Sequence, residues 1–133
     1  SEQRFELLTD PRVLAQGTTE ADIDAQVDLQ LRLVALLSAA RQLEKSLADE
    51  KQALEDNGDG LDGMGRERLA LIDEVLAELK TEDIIYPQPM LTRQIDYLYD
   101  MISTADQAPG QEAMDRFAVL STAFEALSAR IAL

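Results

Sequence analysis

Cysteine, histidine and tryptophan are all missing from this chain, and each absence closes off a class of chemistry. Without cysteine there is no disulfide, no thiolate nucleophile and no sulfur ligand for a metal. Without histidine, the commonest general base and the commonest transition-metal ligand are gone. Aromatic residues are scarce at 5%, so any core must be aliphatic, and a hydrophobic content of 46% can supply one. Positive charge is scarce too: 12 Lys and Arg stand against 26 Asp and Glu, a net charge of −14. Such a surface repels phosphate backbones and anionic headgroups, which argues against nucleic-acid and membrane-surface binding. No apolar run reaches the roughly 18 residues of a membrane span, and no export signal is visible. The chain opens at Ser1, in the middle of an apolar–polar alternation, and reads as a piece of a longer protein.

What is present is leucine and alanine at helical spacing, and both are good helix formers. Arg4-Phe5-Glu6-Leu7-Leu8 alternates like the end of a strand, with no partner strand elsewhere in the sequence. Asp10-Pro11 is expected to block a helix, because the residue before proline is pushed to extended geometry. Residues 1–17 are therefore expected to be a strand remnant and linker from an upstream domain, and 18–133 a helical domain. Thr19 is the expected N-cap of a first helix over about 19–56, with Glu20 and Asp22 placing acid in its first turn. Leu29, Leu33, Leu36, Ala40, Leu43, Leu47 and Leu54 step along it by fours and threes with one gap, widened by Ile23, Val27, Val34 and Leu37. That is the period of left-handed helix packing.

Further helices are expected over about 65–81, 89–105 and 109–132. Their buried faces are Leu69, Ile72, Leu76 and Leu79; then Leu91, Ile95, Leu98 and Ile102; then Met114, Phe117, Leu120 or Ser121, Phe124, Leu127 and Ile131. Pro109 suits the first position of the last helix. Ile84-Ile85-Tyr86-Pro87-Gln88-Pro89 cannot be helical, although its isoleucines should be covered. The expected fold is all-α: an antiparallel four-helix bundle with one long first helix and a short extended N-terminal segment. At 1.5 Å per residue the first helix spans roughly 55 Å and the others roughly 25–35 Å. Its overhang, from Leu43 through Leu47 to Leu54, should therefore find a partner, such as a second copy of the chain or the rest of the parent protein.

Candidate chemistry is thin. Asp56-Asn57-Gly58-Asp59-Gly60 invites comparison with a calcium loop, with Asp56, Asn57, Asp59 and Glu67 as the candidate ligands. The position that needs a bidentate glutamate holds Arg66, and Glu67 comes one residue late. A polar interhelical turn accounts for the sequence better. A di-iron or di-manganese bundle wants inward Glu-x-x-His pairs, which a chain without histidine cannot offer. Tyr97 and Tyr99 fall on different faces of the third helix. Tyr86 is the best candidate for an exposed aromatic at an interaction site, though core filling is the favoured reading of it. No cofactor is expected.

Asp10-Pro11-Arg12-Val13, followed by a threonine-capped helix carrying Asp24-Ala25-Gln26-Val27-Asp28-Leu29, resembles the C-terminal region of bacterial sortilin-type, BNR-repeat proteins, often labelled glycosyl hydrolase-like. Phe5-Glu6-Leu7-Leu8 is similar to the last strand of the β-sandwich segment that precedes the tail. Leu91-Thr92 through Leu98, then Asp106-Gln107-Ala108-Pro109, is similar to the tail's closing helix pair. The likeness covers both ends of the chain and skips the middle. It implies an exported, periplasmic or extracellular parent whose β-propeller, absent from this chain, holds any ligand-directed activity. It also implies structural roles for Asp10, Pro11, Arg12, Asp106 and Pro109, with Arg12 bonding backbone carbonyls at the strand-to-helix turn. The expected function is thus a non-catalytic helical module that packs against, orients or oligomerises that parent, with a homodimer as one form. The alternative is an independent acidic module for a basic or amphipathic partner. An enzyme ranks third, because it would need a deep pocket of perturbed ionisable groups.

Overall fold

The structure, a computed structural model, describes residues 2–132. Among these the regular structure is entirely helical, with five α-helices and no strand. They are α1 (Pro11–Ala15), α2 (Glu20–Asn57), α3 (Gly63–Leu79), α4 (Leu91–Ile102) and α5 (Gln111–Ala132).

The short α1 corrects the expectation that Asp10-Pro11 blocks a helix. Asp10 is extended (φ −56°, ψ 123°), as a residue before proline should be, yet it serves as the N-cap. Its carboxylate accepts from the Arg12 backbone N–H at 2.9 Å. Pro11 then occupies the first turn, where a missing donor costs nothing. The segment 1–17 thus contains a turn of helix in addition to linker.

The expected start of α2 is present as a full capping box. Thr19 Oγ1 accepts from Asp22 N (3.1 Å), and Asp22 Oδ2 accepts from Thr19 N (2.8 Å). At its other end Gly58 takes a left-handed φ of 48°, which glycine adopts at little cost. Asp62 caps α3, accepting from Gly65 N at 2.7 Å, so that helix starts two residues earlier than its pattern suggests.

With 38 residues, α2 is about 57 Å long; α3, α4 and α5 are about 26, 18 and 33 Å. Side-chain bonds fix the register. Glu50 and Lys51 of α2 meet Arg68 and Asp73 of α3. Glu44, Gln30 and Gln26 meet Thr92, Ser103 and the Ile102 carbonyl. The α4 partners ascend as those on α2 descend, from Thr92 with Glu44 to Ser103 with Gln30, so α4 runs antiparallel to α2. Helix α3, joined to the end of α2 by the short turn 58–62 and packed against it, also runs antiparallel, ahead of α4 along the length of α2. Helix α5 lies beside both: Arg116 donates to Gln94 of α4, and Arg130 to Glu78 of α3.

This tandem arrangement removes the expected overhang. Leu47 is buried, and Leu43 and Leu54 are half-buried against the same core. As interaction residues these three are corrected: they are already covered within the chain. The core comprises Leu29, Leu33, Leu37, Ala40 and Leu47 of α2 with Ile72, Val75, Leu79, Leu91, Ile95, Leu98, Ala113, Leu120, Leu127 and Ile131. Two expectations for α5 shift. In α5, Ala113 is buried where Met114 was expected, and Met114 is exposed. Pro109 lies two residues ahead of α5, while the Gly110 carbonyl receives the first helical N–H groups, from Ala113 and Met114.

One clamp ties three helices. Arg68 holds Glu50 with two bonds (2.7 and 3.0 Å) and donates a third to the Ile131 carbonyl at 2.6 Å. That third bond satisfies a carbonyl in the last turn of α5, which has no intrahelical partner. The guanidinium holds the Glu50 carboxyl below its ordinary range.

Leu33 has no solvent exposure. Leu33→Ala should cost about 2–5 kcal/mol in urea unfolding, through lost burial and a residual cavity. Glu50→Gln should destabilise the fold at neutral pH. Because the folded-state pKa of Glu50 is depressed, that deficit should shrink as pH falls through the carboxylate range, measured as paired melts across pH.

Candidate functional site

The most specific local structure lies where the N-terminal part of α2 meets the loop between α4 and α5. Gln26 occupies a core-facing position, three residues before Leu29, and is 5% exposed. Its Nε2 donates to the Ile102 and Ala105 carbonyls, each at 2.7 Å. These carbonyls lie at and just beyond the end of α4, where no intrahelical donor remains. Thr18 Oγ1 adds a bond to the Asp106 carbonyl at 2.9 Å, and Gln30 Nε2 one to Ser103 Oγ at 3.0 Å. Asp106 thus acts through its backbone. The signal for Gln26 was a lone amide on the leucine seam. A donor of two hydrogens inside an apolar stripe implies two acceptors nearby.

The other expected residues sort as follows. Arg12 pairs with the Asp10 carboxylate, Nη2 to Oδ2 at 2.8 Å, rather than with backbone carbonyls. That pair lowers the Asp10 pKa and raises that of Arg12. The candidate calcium ligands do not assemble. Asp56 and Asn57 are the last residues of α2, Asp56 accepts from Gln52, Asp59 sits in a 3-10 turn and Glu67 lies on α3. Among the described residues no group of three or more acidic side chains could hold a metal ion. Asp56 and Asn57 sit on the last turn of α2, apart from Asp59 in the following turn and Glu67 on α3.

Tyr86 is 92% exposed, which corrects the core-filling reading. Ile84 and Ile85 are exposed as well, against the expectation that they would be covered. They form the tip of the connector 80–90, whose base is closed by Met90 N donating to Thr81 Oγ1 at 3.0 Å. Gln94 Nε2 also donates to the Pro89 carbonyl at 2.8 Å. The loop is therefore anchored at its ends and apolar at its apex.

A second apolar segment is the N-terminal arm, residues 2–10, which has no regular structure. Phe5, Leu7 and Leu8 project from it, with Leu7 89% exposed. The chain as a whole exposes 9545 Å², where a compact monomer of its mass would expose about 6,900 Å².

Concave features are shallow. One open hollow of about 350 Å³ is lined by Arg41, Glu44, Lys80, Thr92, Arg93 and Asp96. A smaller groove of about 210 Å³ runs between Tyr97, Met101 and Arg116. Arg93 stacks over the Tyr97 ring at 5.9 Å from its centroid. No helix among the described residues is long and apolar enough to cross a membrane. Comparison with protein-family models, curated proteins and solved structures gave no match.

Gln26→Leu should keep the shape but strand two carbonyls, lowering stability by about 1–3 kcal/mol. Gln26→Glu should be worse at neutral pH, since a carboxylate would face two acceptors. Part of that loss should return on acidification, when the carboxyl can donate a hydrogen bond; chemical denaturation of the three proteins at two pH values checks both outcomes.

Proposed function

We propose that this chain is a non-catalytic helical module that packs against, orients or oligomerises a larger exported protein of the BNR-repeat, sortilin-type kind. The four longer helices are read as one antiparallel bundle in which α3 and α4 share the length of α2. The observation that carries the proposal is the exposed apolar arm: Phe5, Leu7 and Leu8 have no cover within the chain. An alternating segment of this kind suits the last strand of a neighbouring sheet, with Phe5 and Leu7 on one face and Leu8 on the other. The Asp10 cap and Pro11 then turn the chain directly into helix. The clamp of Gln26, Thr18 and Gln30 makes the helical part rigid close to that junction, as a module that sets an orientation requires.

A second reading has its own observation. The anchored loop with Ile84, Ile85 and Tyr86 at its apex gives an acidic module a place to hold a basic, amphipathic partner.

The test is hydrogen exchange at residues 4–8, compared between the isolated chain and the longer protein that carries it. Protection at least about tenfold greater in the longer protein supports packing of the arm. Equal, fast exchange in both would sink the assembly reading. Repeated Ser-x-Asp-x-Gly-x-x-Trp motifs in the upstream reading frame are the matching expectation for the parent, and a frame without them overturns that part.

A further inference from the structure

The outer face of α2 carries a second seam, on the side opposite Leu29, Leu33 and Leu37. Val27, Leu31 and Val34 step along it by four and three residues, and all three are exposed, Leu31 at 64%. The same steps continued toward the N-terminus reach Asp24 and Glu20. Toward the C-terminus they reach Ser38, Arg41 and Lys45, and every one of these residues is exposed. The face is thus acidic at its start, aliphatic in the middle and basic at its end. Neither Glu20 nor Asp24 makes an ion pair among the described residues. Arg41 reaches Asp96 only at 3.9 Å, and Lys45 pairs with its exposed neighbour Asp49.

We propose that this face docks onto the same face of a second copy of the chain, with the two α2 helices antiparallel. One register satisfies every position. Leu31 lies against Val34 of the second copy and Val27 against Ser38. Asp24 lies opposite Arg41, and Glu20 opposite Lys45. The two-fold axis repeats each contact, as a symmetric dimer demands. Alternating steps of four and three are the spacing at which two helices interdigitate over several turns. From Glu20 to Lys45 the contact runs about 38 Å. A parallel arrangement would set Glu20 beside Glu20 and Arg41 beside Arg41, so the charges select the antiparallel one. Exposed ion pairs add little affinity and act mainly on orientation and specificity. The aliphatic middle supplies the attraction.

This inference deepens the assembly reading and rests on it only for the idea that the module joins larger structures. The two fail separately, since one concerns residues 4–8 and the other residues 20–45. The test is sedimentation equilibrium of the 133-residue chain at concentrations up to about 200 µM. Salt near 0.15 M shortens the Debye length to about 8 Å and screens the repulsion between two copies of charge −14. A reversible dimer is expected. Leu31→Asp should weaken it at least about tenfold with helicity unchanged, because Leu31 is outside the core. Asp24→Arg and Arg41→Asp should each weaken it, and the two together should restore most of the affinity. A monomer throughout the range would overturn the proposal. So would a dimer indifferent to Leu31→Asp, or a charge exchange without recovery.

Discussion

The apolar stripe along the inner face of α2 is the constraint on which the rest of the structure depends. Leu29, Leu33 and Ala40 have almost no exposure, and Leu37 and Leu47 little more. Each fully buried leucine contributes roughly 1.5–3 kcal/mol, and no other helix offers so long a continuous surface. From Gln26 to Leu54 the stripe runs about 42 Å, which no single remaining helix can cover. Placing α3 and α4 end to end, with α5 alongside both, covers it from Gln26 to Leu54. The connector between α3 and α4 follows from this arrangement. It must let one helix stop and the next continue in the same direction, and its prolines keep it out of either helix.

Polar groups decide where each helix ends and how the ends are held. The Thr19–Asp22 box, the Asp62 cap and the left-handed Gly58 stop the helices locally. Gln26 and Arg68 act over longer distances. Each reaches carbonyls left open near a helix terminus, Gln26 beyond α4 and Arg68 at the end of α5. The rod is thereby closed at both ends by side chains whose hydrogen bonds replace those that water would otherwise make. The other ion pairs are largely solvent-exposed, Lys51 being half-buried, and each adds little to stability.

With an interior filled by aliphatic side chains, the chemistry of this chain lies on its outside. Three exposed apolar features stand out: the arm, the Ile84–Tyr86 apex and the Val27–Leu31–Val34 face. They sit on different parts of the molecule and differ in geometry: an extended segment, an anchored loop and a helix face. Each geometry suits a different mode of contact, and the proposed assembly role rests on them.

Helical class, the extent of α2, its threonine cap and the inner leucine stripe were all determined by the sequence, because each is a local property of spacing and capping chemistry. So were the buried faces of α4 and most of α5. The tertiary structure alone decided that α3 and α4 share the length of α2, and therefore that Leu43, Leu47 and Leu54 are covered. Periodicity reports which face is apolar and leaves open which helix covers it. The same ambiguity hid the connector tip, where Ile84 and Ile85 look like core residues by composition and lie outside by path. It also hid the second stripe on α2: Val27 and Val34 widen the inner seam on paper. The pitch of the helix sets them on the side away from Leu29 and Leu33, and the placement of α3, α4 and α5 on one side leaves them uncovered.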